Sequence, residues 1–289
     1  MKTNTIEKAV TMYTELAATS KRIRKTQVYD MFGISYDRKS DKIYHSVFGW
    51  IKPLLINGND KLGRGVYTWS MLPTNDYFDF KIDNAEYHIP GTCPCHCKGC
   101  YATKGRYTFE NVIAANGRKT LLARMDLDYV ERAITAQILA SHITICRIHA
   151  AGDFFSTDYI NMWRRVVSHC SKAVFWTYTK NMDAENAFND LNNINVVRSI
   201  IPGIGFNFGH CDYIMKVYHA LKALGKNVHI CRCGIDKNQH CTNCRGCVDN
   251  EIVLFIEHST EYNAEKDPLF PACKELIESQ EKPGTIVAA

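Results

Sequence analysis

The sequence predicts an α/β fold: a full or partial (β/α) barrel with a small N-terminal winged-helix-like domain. Three observations carry this reading. Beyond about residue 85, short apolar runs of strand length alternate with helical patterns, which is the signature of parallel βαβ units. The 289 residues suit one large domain plus a small one, or a single barrel. Net positive charge is confined to the start of the chain: residues 1–70 hold twelve Lys/Arg against six Asp/Glu, whereas residues 71–289 hold 23 against 24. The expected division is a basic domain over residues 1–72 and a cysteine-rich barrel-like domain over 76–289.

In the body of the chain Tyr87, His88 and Ile89 read as a first strand, followed after a cysteine loop by a helix near 127–141. Residues 143–149 form a buried strand, and Ser156 caps a helix running to His169. Strands near 173–178, 195–200, 228–231 and 251–257 follow, with helices near 183–191 and 212–224 between them. With about six such units a barrel is favoured over an open doubly wound sheet. Neither G-x-G-x-x-G nor G-x-x-x-x-G-K-[ST] occurs, which excludes the commonest nucleotide-binding loops.

In the first seventy residues Ile6, Ala9, Val10, Tyr13 and Leu16 fall at helical spacing, and residues 26–32 form a second helix stopped by Gly33. Ser40 is placed to cap a third helix, burying Ile43, Val47, Trp50 and Ile51. Turn residues at 57–60 and 62–65 then lead into the β-like run 66–69. Helices followed by a hairpin suggest a winged helix-turn-helix. Arg38, Lys39, Lys42, Lys52, Lys61 and Arg64 would then face phosphates, making nucleic acid an expected partner. A solvated basic face without a partner is the plainer alternative.

The sequence contains no run of about 18 apolar residues, so no membrane span is expected. The N-terminus lacks the apolar core of a signal peptide, and a cytoplasmic location is expected. In a reducing compartment, cysteines two or three residues apart are ligands more often than disulfide partners. Nine of the 13 cysteines fall in two short groups: Cys93, Cys95, Cys97 and Cys100, and Cys231, Cys233, Cys241, Cys244 and Cys247. Cys93, Cys97 and Cys100 form the first expected ligand set, with Cys95 as an alternative. The overlapping C-x-x-C-x-x-C of Cys241, Cys244 and Cys247, completed by Cys231 or Cys233, suits a [4Fe–4S] cluster, with zinc as the competing metal. His96 and His240 lie inside these loops and could replace a thiol.

Cys93-x-x-x-Cys97-x-x-Cys100 resembles the cluster motif of radical S-adenosylmethionine enzymes. The resemblance implies S-adenosylmethionine as a cofactor, met by Ala151, Gly152 and Asp153 at the next strand end. Gly99 stands where an aromatic usually precedes the last cysteine, and Asp153 replaces a glutamate. A wider likeness covers residues from about 90 to 250. Cys100-Tyr101-Ala102, the run 147–155 (RIHAAGDFF), the run 176–180 (WTYTK) and the Cys241/Cys244/Cys247 loop resemble the phage gene product eighty-eight family. This implies a bacteriophage or mobile-element origin without supplying a reaction.

Asp153 and Lys180, charged groups at strand ends, are the candidate catalytic residues, a structural ion pair being the alternative. His149 reads equally as a ligand or a satisfied core histidine, and Tyr178 as packing. The expected function is that of an iron–sulfur enzyme of radical S-adenosylmethionine type brought to nucleic acid. The rivals are a non-catalytic DNA-binding regulator and a zinc-stabilised protein that binds a host partner.

Overall fold

The computed structural model describes residues 3–20, 22–58, 62–97, 100–201, 203–236, 239–257 and 263–280. Helices α1 (Thr3–Thr19) and α2 (Lys25–Met31) bury Ile6, Ala9, Val28 and Tyr29, and Gly33 at φ +64° follows the second as expected. The third helix expected from Ser40 is not formed. In its place β1 (Tyr36–Asp37), β2 (Lys42–His45) and β3 (Gly49–Ile51) make a three-stranded antiparallel sheet. Ile43, His45 and Ile51 are buried while Tyr44 and Trp50 are exposed, the alternation of a half-buried strand. Asp41 and Gly49 supply the positive φ at the two connections. No helix therefore stands between α2 and the strands that follow it to carry the expected recognition role of the basic residues.

Next β4 (Ile56–Asn57) returns antiparallel to β5 (Val66–Thr68), giving the expected hairpin. Its second strand, however, also pairs parallel with a later strand and so opens the main sheet. The pair β6 (Tyr77–Ile82) and β7 (Ala85–Pro90) forms an antiparallel hairpin around Asp83 at φ +52°. Tyr87–Ile89 therefore belongs to an excursion and is not the first strand of the parallel series. The excursion is closed at its base. The N–H groups of Gly91, Thr92 and Cys93 donate to the carbonyls of Asp76 (2.8 Å), Leu72 (3.0 Å) and Thr74 (2.9 Å). The first cysteine loop thus leaves from the C-terminal end of β5.

Two helices follow, α3 (Glu110–Met125), which the sequence reading missed, and α4 (Leu127–Ala140). Between them the Asp126 carboxylate accepts from the Tyr129 N–H at 3.0 Å and caps the second. Then β8 (Ile145–Ile148), α5 (Thr157–His169), β9 (Val174–Thr179), α6 (Met182–Ala187) and β10 (Ile194–Arg198) appear as the alternation predicted, with Ser156 capping α5. The parallel run is β5, β8, β9, β10.

A short hairpin of β11 (Ile200–Ile201) and β12 (Gly205–Phe206) precedes β13 (Phe208–Gly209). After it come α7 (Cys211–Ala223), β14 (Val228–Ile230), α8 (Gly246–Asp249), β15 (Ile252–Ile256) and α9 (Phe270–Ser279). Strands β13, β15 and β14 form a second, all-parallel sheet. Asn207 stitches the two sheets together: its N–H donates to Ser199 O (3.1 Å) and its carbonyl accepts from Phe255 N–H (2.9 Å). The described strands form no closed barrel. The fold is mixed α/β, and one core runs from Ile6, Val28 and Ile43 to Val130, Trp163 and Phe175.

At Gly117, inside α3, a Cβ would meet the Phe80 ring at 2.3 Å. Helix propensity alone favours alanine there by about 1 kcal/mol, but overpacking costs about 1–3 kcal/mol. Gly117→Ala is expected to lower the urea midpoint; a raised midpoint would show that the ring yields.

Candidate functional site

The strand ends carry the chemistry, as parallel α/β geometry requires. After β8 the chain reaches Asp153, which is 1% exposed. Its carboxylate accepts from the Thr179 hydroxyl (2.6 Å), the Lys180 N–H (2.8 Å) and the Phe154 N–H (2.8 Å). Its own N–H donates to Thr92 Oγ1 (3.0 Å), and that hydroxyl donates to Leu72 O (2.9 Å). The ends of β5, β8 and β9 and the start of the first cysteine loop are thereby joined. Burial pushes the Asp153 pKa up, against the pull of the three donors and of the Lys180 charge.

Beside this junction lies a cavity of about 380 Å³, within the range of small-molecule sites. Cys93, Cys97 and Cys100 face it from the first loop, and Cys231, Cys241 and Cys247 from the second. The two groups, far apart in sequence, meet in one space. Ala151, Gly152 and Lys180 also line it; Asp153 does not. Of the expected catalytic pair, then, Lys180 faces the cavity while the carboxylate is turned into the framework. Cys95 Sγ lies 3.6 Å from Cys97 Sγ, and the Cys233 thiol donates to Gln239 O at 3.3 Å. Among the described residues no disulfide forms.

Burial and the Asp153 charge push the Cys93 thiol up to about 12, while Lys180 pulls the other way. Cys97 is raised to about 11 and Cys247 to about 12, chiefly by burial. Burial opposes the Lys180 ammonium, but Asp153 and the thiols of Cys97 and Cys93 outweigh it and its pKa is raised. The Tyr178 hydroxyl, expected only to pack, donates to Cys247 Sγ at 2.6 Å.

The donors fit a soft metal by type, since only thiolates are as numerous and as enclosed. They are not pre-assembled: among the described residues no three Cys, His, Asp or Glu side chains are gathered as ligands. Cys244 is the electrostatic neighbour of Cys231 and of Cys247, which makes Cys231 the nearer of the two alternatives left open by spacing. His96 instead pairs with Asp76 at 2.5 Å. Gly99 and His258 lie outside the described residues.

Of the basic residues singled out, Arg38 and Lys39 are exposed in the β1–β2 turn and Lys42 begins β2. Arg64 is exposed on a different connection, before β5, and Lys61 lies outside the described residues. Sequence reading missed Arg147. Its guanidinium lines the cavity, donates to Tyr101 OH at 3.2 Å and sits 5.2 Å over the Tyr178 ring. The available signal was a cation inside an otherwise apolar strand.

Fold and site together define a mixed α/β protein with a thiol-lined cavity at the ends of its parallel strands. The family model described as Gene product 88 matches residues 53–201, and the chain belongs to that family. The match begins earlier than the likeness read from sequence, reaching into the N-terminal region, and ends before the second cysteine group. The chain is similar to the Gene 88 protein of Mycobacterium phage D29, 31% identical over 106 residues, which are 32% of this chain and 42% of that protein. It thus spans less than half the length of the curated relative it matches. The kinship supports a bacteriophage origin. No solved structure matches. No helix among the described residues is long and apolar enough to cross a membrane.

His149 lines the cavity at φ +61°, 2% exposed, with Nε2 2.9 Å from Tyr159 OH and Nδ1 without a partner among the described residues. Burial, aided by Arg147, pushes its pKa from 6.5 down to about 3. The unfolded state therefore binds the proton first, so stability falls as pH drops from 6.5 toward 3. The slope approaches about 1.4 kcal/mol per pH unit. His149→Asn, which tolerates positive φ, is expected to flatten this part of the urea-midpoint profile; an unchanged acid limb would contradict the assignment.

Proposed function

We propose that this chain is an iron–sulfur protein whose cavity, lined by both cysteine groups, is the active site of a radical S-adenosylmethionine-like enzyme. The observation that carries the reading is the meeting of six thiols from two remote loops around one cavity, with Lys180 beside the first group. Cys93, Cys97 and Cys100 would hold one [4Fe–4S] centre; Cys241, Cys244, Cys247 and Cys231 would hold a second, with Cys233 as the reserve for Cys231. A three-thiolate cluster supplies one-electron chemistry and an iron with an open position. Ala151 and Gly152 are small where a cofactor would approach, and Lys180 offers an ammonium to its acidic end. Asp153 acts as a positioning residue, holding Lys180 and Thr92 in place. The strand series, β5, β8, β9 and β10 continued through Asn207 to β15 and β14, is in this reading a partial barrel open on one side. Zinc in place of iron would make the same loops structural.

Anaerobic reconstitution should give a brown protein with about eight irons per chain. Serine at Cys93, Cys97 or Cys100 should remove about half of that iron, and serine at Cys241, Cys244 or Cys247 the other half. Formation of 5′-deoxyadenosine from S-adenosylmethionine and dithionite is expected, and is lost in the first set alone. Colourless protein holding zinc would sink the proposal.

A second reading concerns nucleic acid, and one observation favours it. Tyr44 and Trp50, 44% and 48% exposed, face each other across β2 and β3 with ring centroids 5.4 Å apart. Arg38, Lys39, Lys42 and Lys52 stand on the same small sheet or its connections, and none is in an ion pair among the described residues. Aromatics among unpaired cations suit single strands, whose bases stack, better than the duplex groove expected from a recognition helix. Trp50→Ala should weaken binding of a labelled oligo-dT by roughly tenfold, measured by anisotropy, and Lys42→Gln should lessen its salt dependence. Equal binding by both variants would remove this surface from consideration.

A further inference from the structure

We infer that Arg147 is the anchor for the oxyanion of a small organic molecule that occupies the cavity. A guanidinium presents five N–H donors. Among the described residues, one of them reaches an acceptor, Tyr101 OH at 3.2 Å. That hydroxyl in turn donates to the Ala150 carbonyl, so it holds the arginine in place without neutralising it. Arg147 Nε is buried with no acceptor, and no carboxylate forms an ion pair with Arg147 among the described residues. The acidic residue of the wall, Glu257, is paired with His210 at 3.6 Å. A buried cation with open donors is costly unless an anion meets it.

The walls say what carries the anion. Trp176, Tyr178 and Phe255 line the same space, and the Tyr178 ring lies under the guanidinium. Planar carboxylates and phosphates engage arginine through two parallel hydrogen bonds. The ligand class is therefore an aromatic or largely apolar molecule with one carboxylate or phosphate. Arg147 is a different cation from Lys180, whose electrostatic neighbours are Asp153 and the first thiol group. The anchor rests on the cavity of the proposed function but does not require its metal.

The test uses the full chain with benzoate, phenyl phosphate and the neutral benzamide as probes, followed by ligand-observed NMR and calorimetry. At least one anion should bind, and benzamide should bind roughly tenfold more weakly or worse. Whether benzoate or phenyl phosphate prevails tells carboxylate from phosphate. Arg147→Gln should bring the anions down to the benzamide level, while Arg147→Lys should keep part of the preference. Thermal melts of both variants check folding, and the lysine variant keeps the comparison open if glutamine unfolds the protein. Metal content is measured on each sample. Anion preference that survives Cys93→Ser and Cys241→Ser upholds the anchor even where the metal reading fails. No binding by any probe, equal binding of benzamide, or an unchanged preference in Arg147→Gln overturns it.

Discussion

The site depends on one buried carboxylate. Asp153 stands where three parallel strands end, and its two oxygens take three donors from two of them. A carboxylate 1% exposed is tolerable only because each oxygen is answered. The same residue's N–H reaches Thr92, which returns a bond to Leu72 at the end of the first strand. Cys93 follows Thr92 directly. The first cysteine loop therefore inherits its position from a hydrogen-bond network and not from packing of its own, and loss of one member strands the others.

Gly152 shows how tight this junction is. Its φ is +85°, and a Cβ would lie 2.6 Å from Thr92 Oγ1 and 3.0 Å from Met71 Cβ. Only glycine allows the strand to turn there while Thr92 keeps its contacts. Ala150 and Ala151 extend the small-residue stretch, and Ala151 O is held by the Met71 N–H at 2.9 Å. This stretch of the wall is thus built from small residues. Where side chains are absent a cavity remains, and the six thiols look into the room this leaves.

Local patterns explain what the sequence disclosed. Ser156, the apolar strand runs and Gly33 act through neighbouring residues, so their spacing is enough. Ile43, Val47, Trp50 and Ile51 fit the helical period, whereas Ile43, His45 and Ile51 fit the two-residue one, and tertiary pairing with Tyr36–Asp37 decided for strand. Tyr87–Ile89 has strand chemistry, but its partner was invisible without the turn at Asp83. For the site, the two cysteine groups were plain as candidates. Which thiols face inward, and that Arg147 joins them, depends on strand ends meeting, which no spacing records. Asp153 was singled out as a charged strand end, yet its partners Thr92 and Thr179 carry no motif and went unread.

The cavity's charges assign its two cations different work. At neutral pH the buried thiols of Cys93, raised to about 12, and Cys97, raised to about 11, remain protonated. The apo cavity therefore holds Lys180 and Arg147 with little thiolate to answer them. A metal bound as proposed would remove those protons, because only the thiolate is a ligand. Negative charge in the first loop would then stand beside Lys180, whose neighbours are Cys97, Cys93 and Cys95, and add to that of Asp153. Arg147 is surrounded mainly by the phenols of Tyr101, Tyr178 and Tyr107, with Cys241 and Cys247 of the second loop also near it. Loading of the first loop alone would leave this guanidinium as open as before. Lys180 belongs with the first thiol group, and Arg147 with the aromatic wall and whatever enters between the two loops.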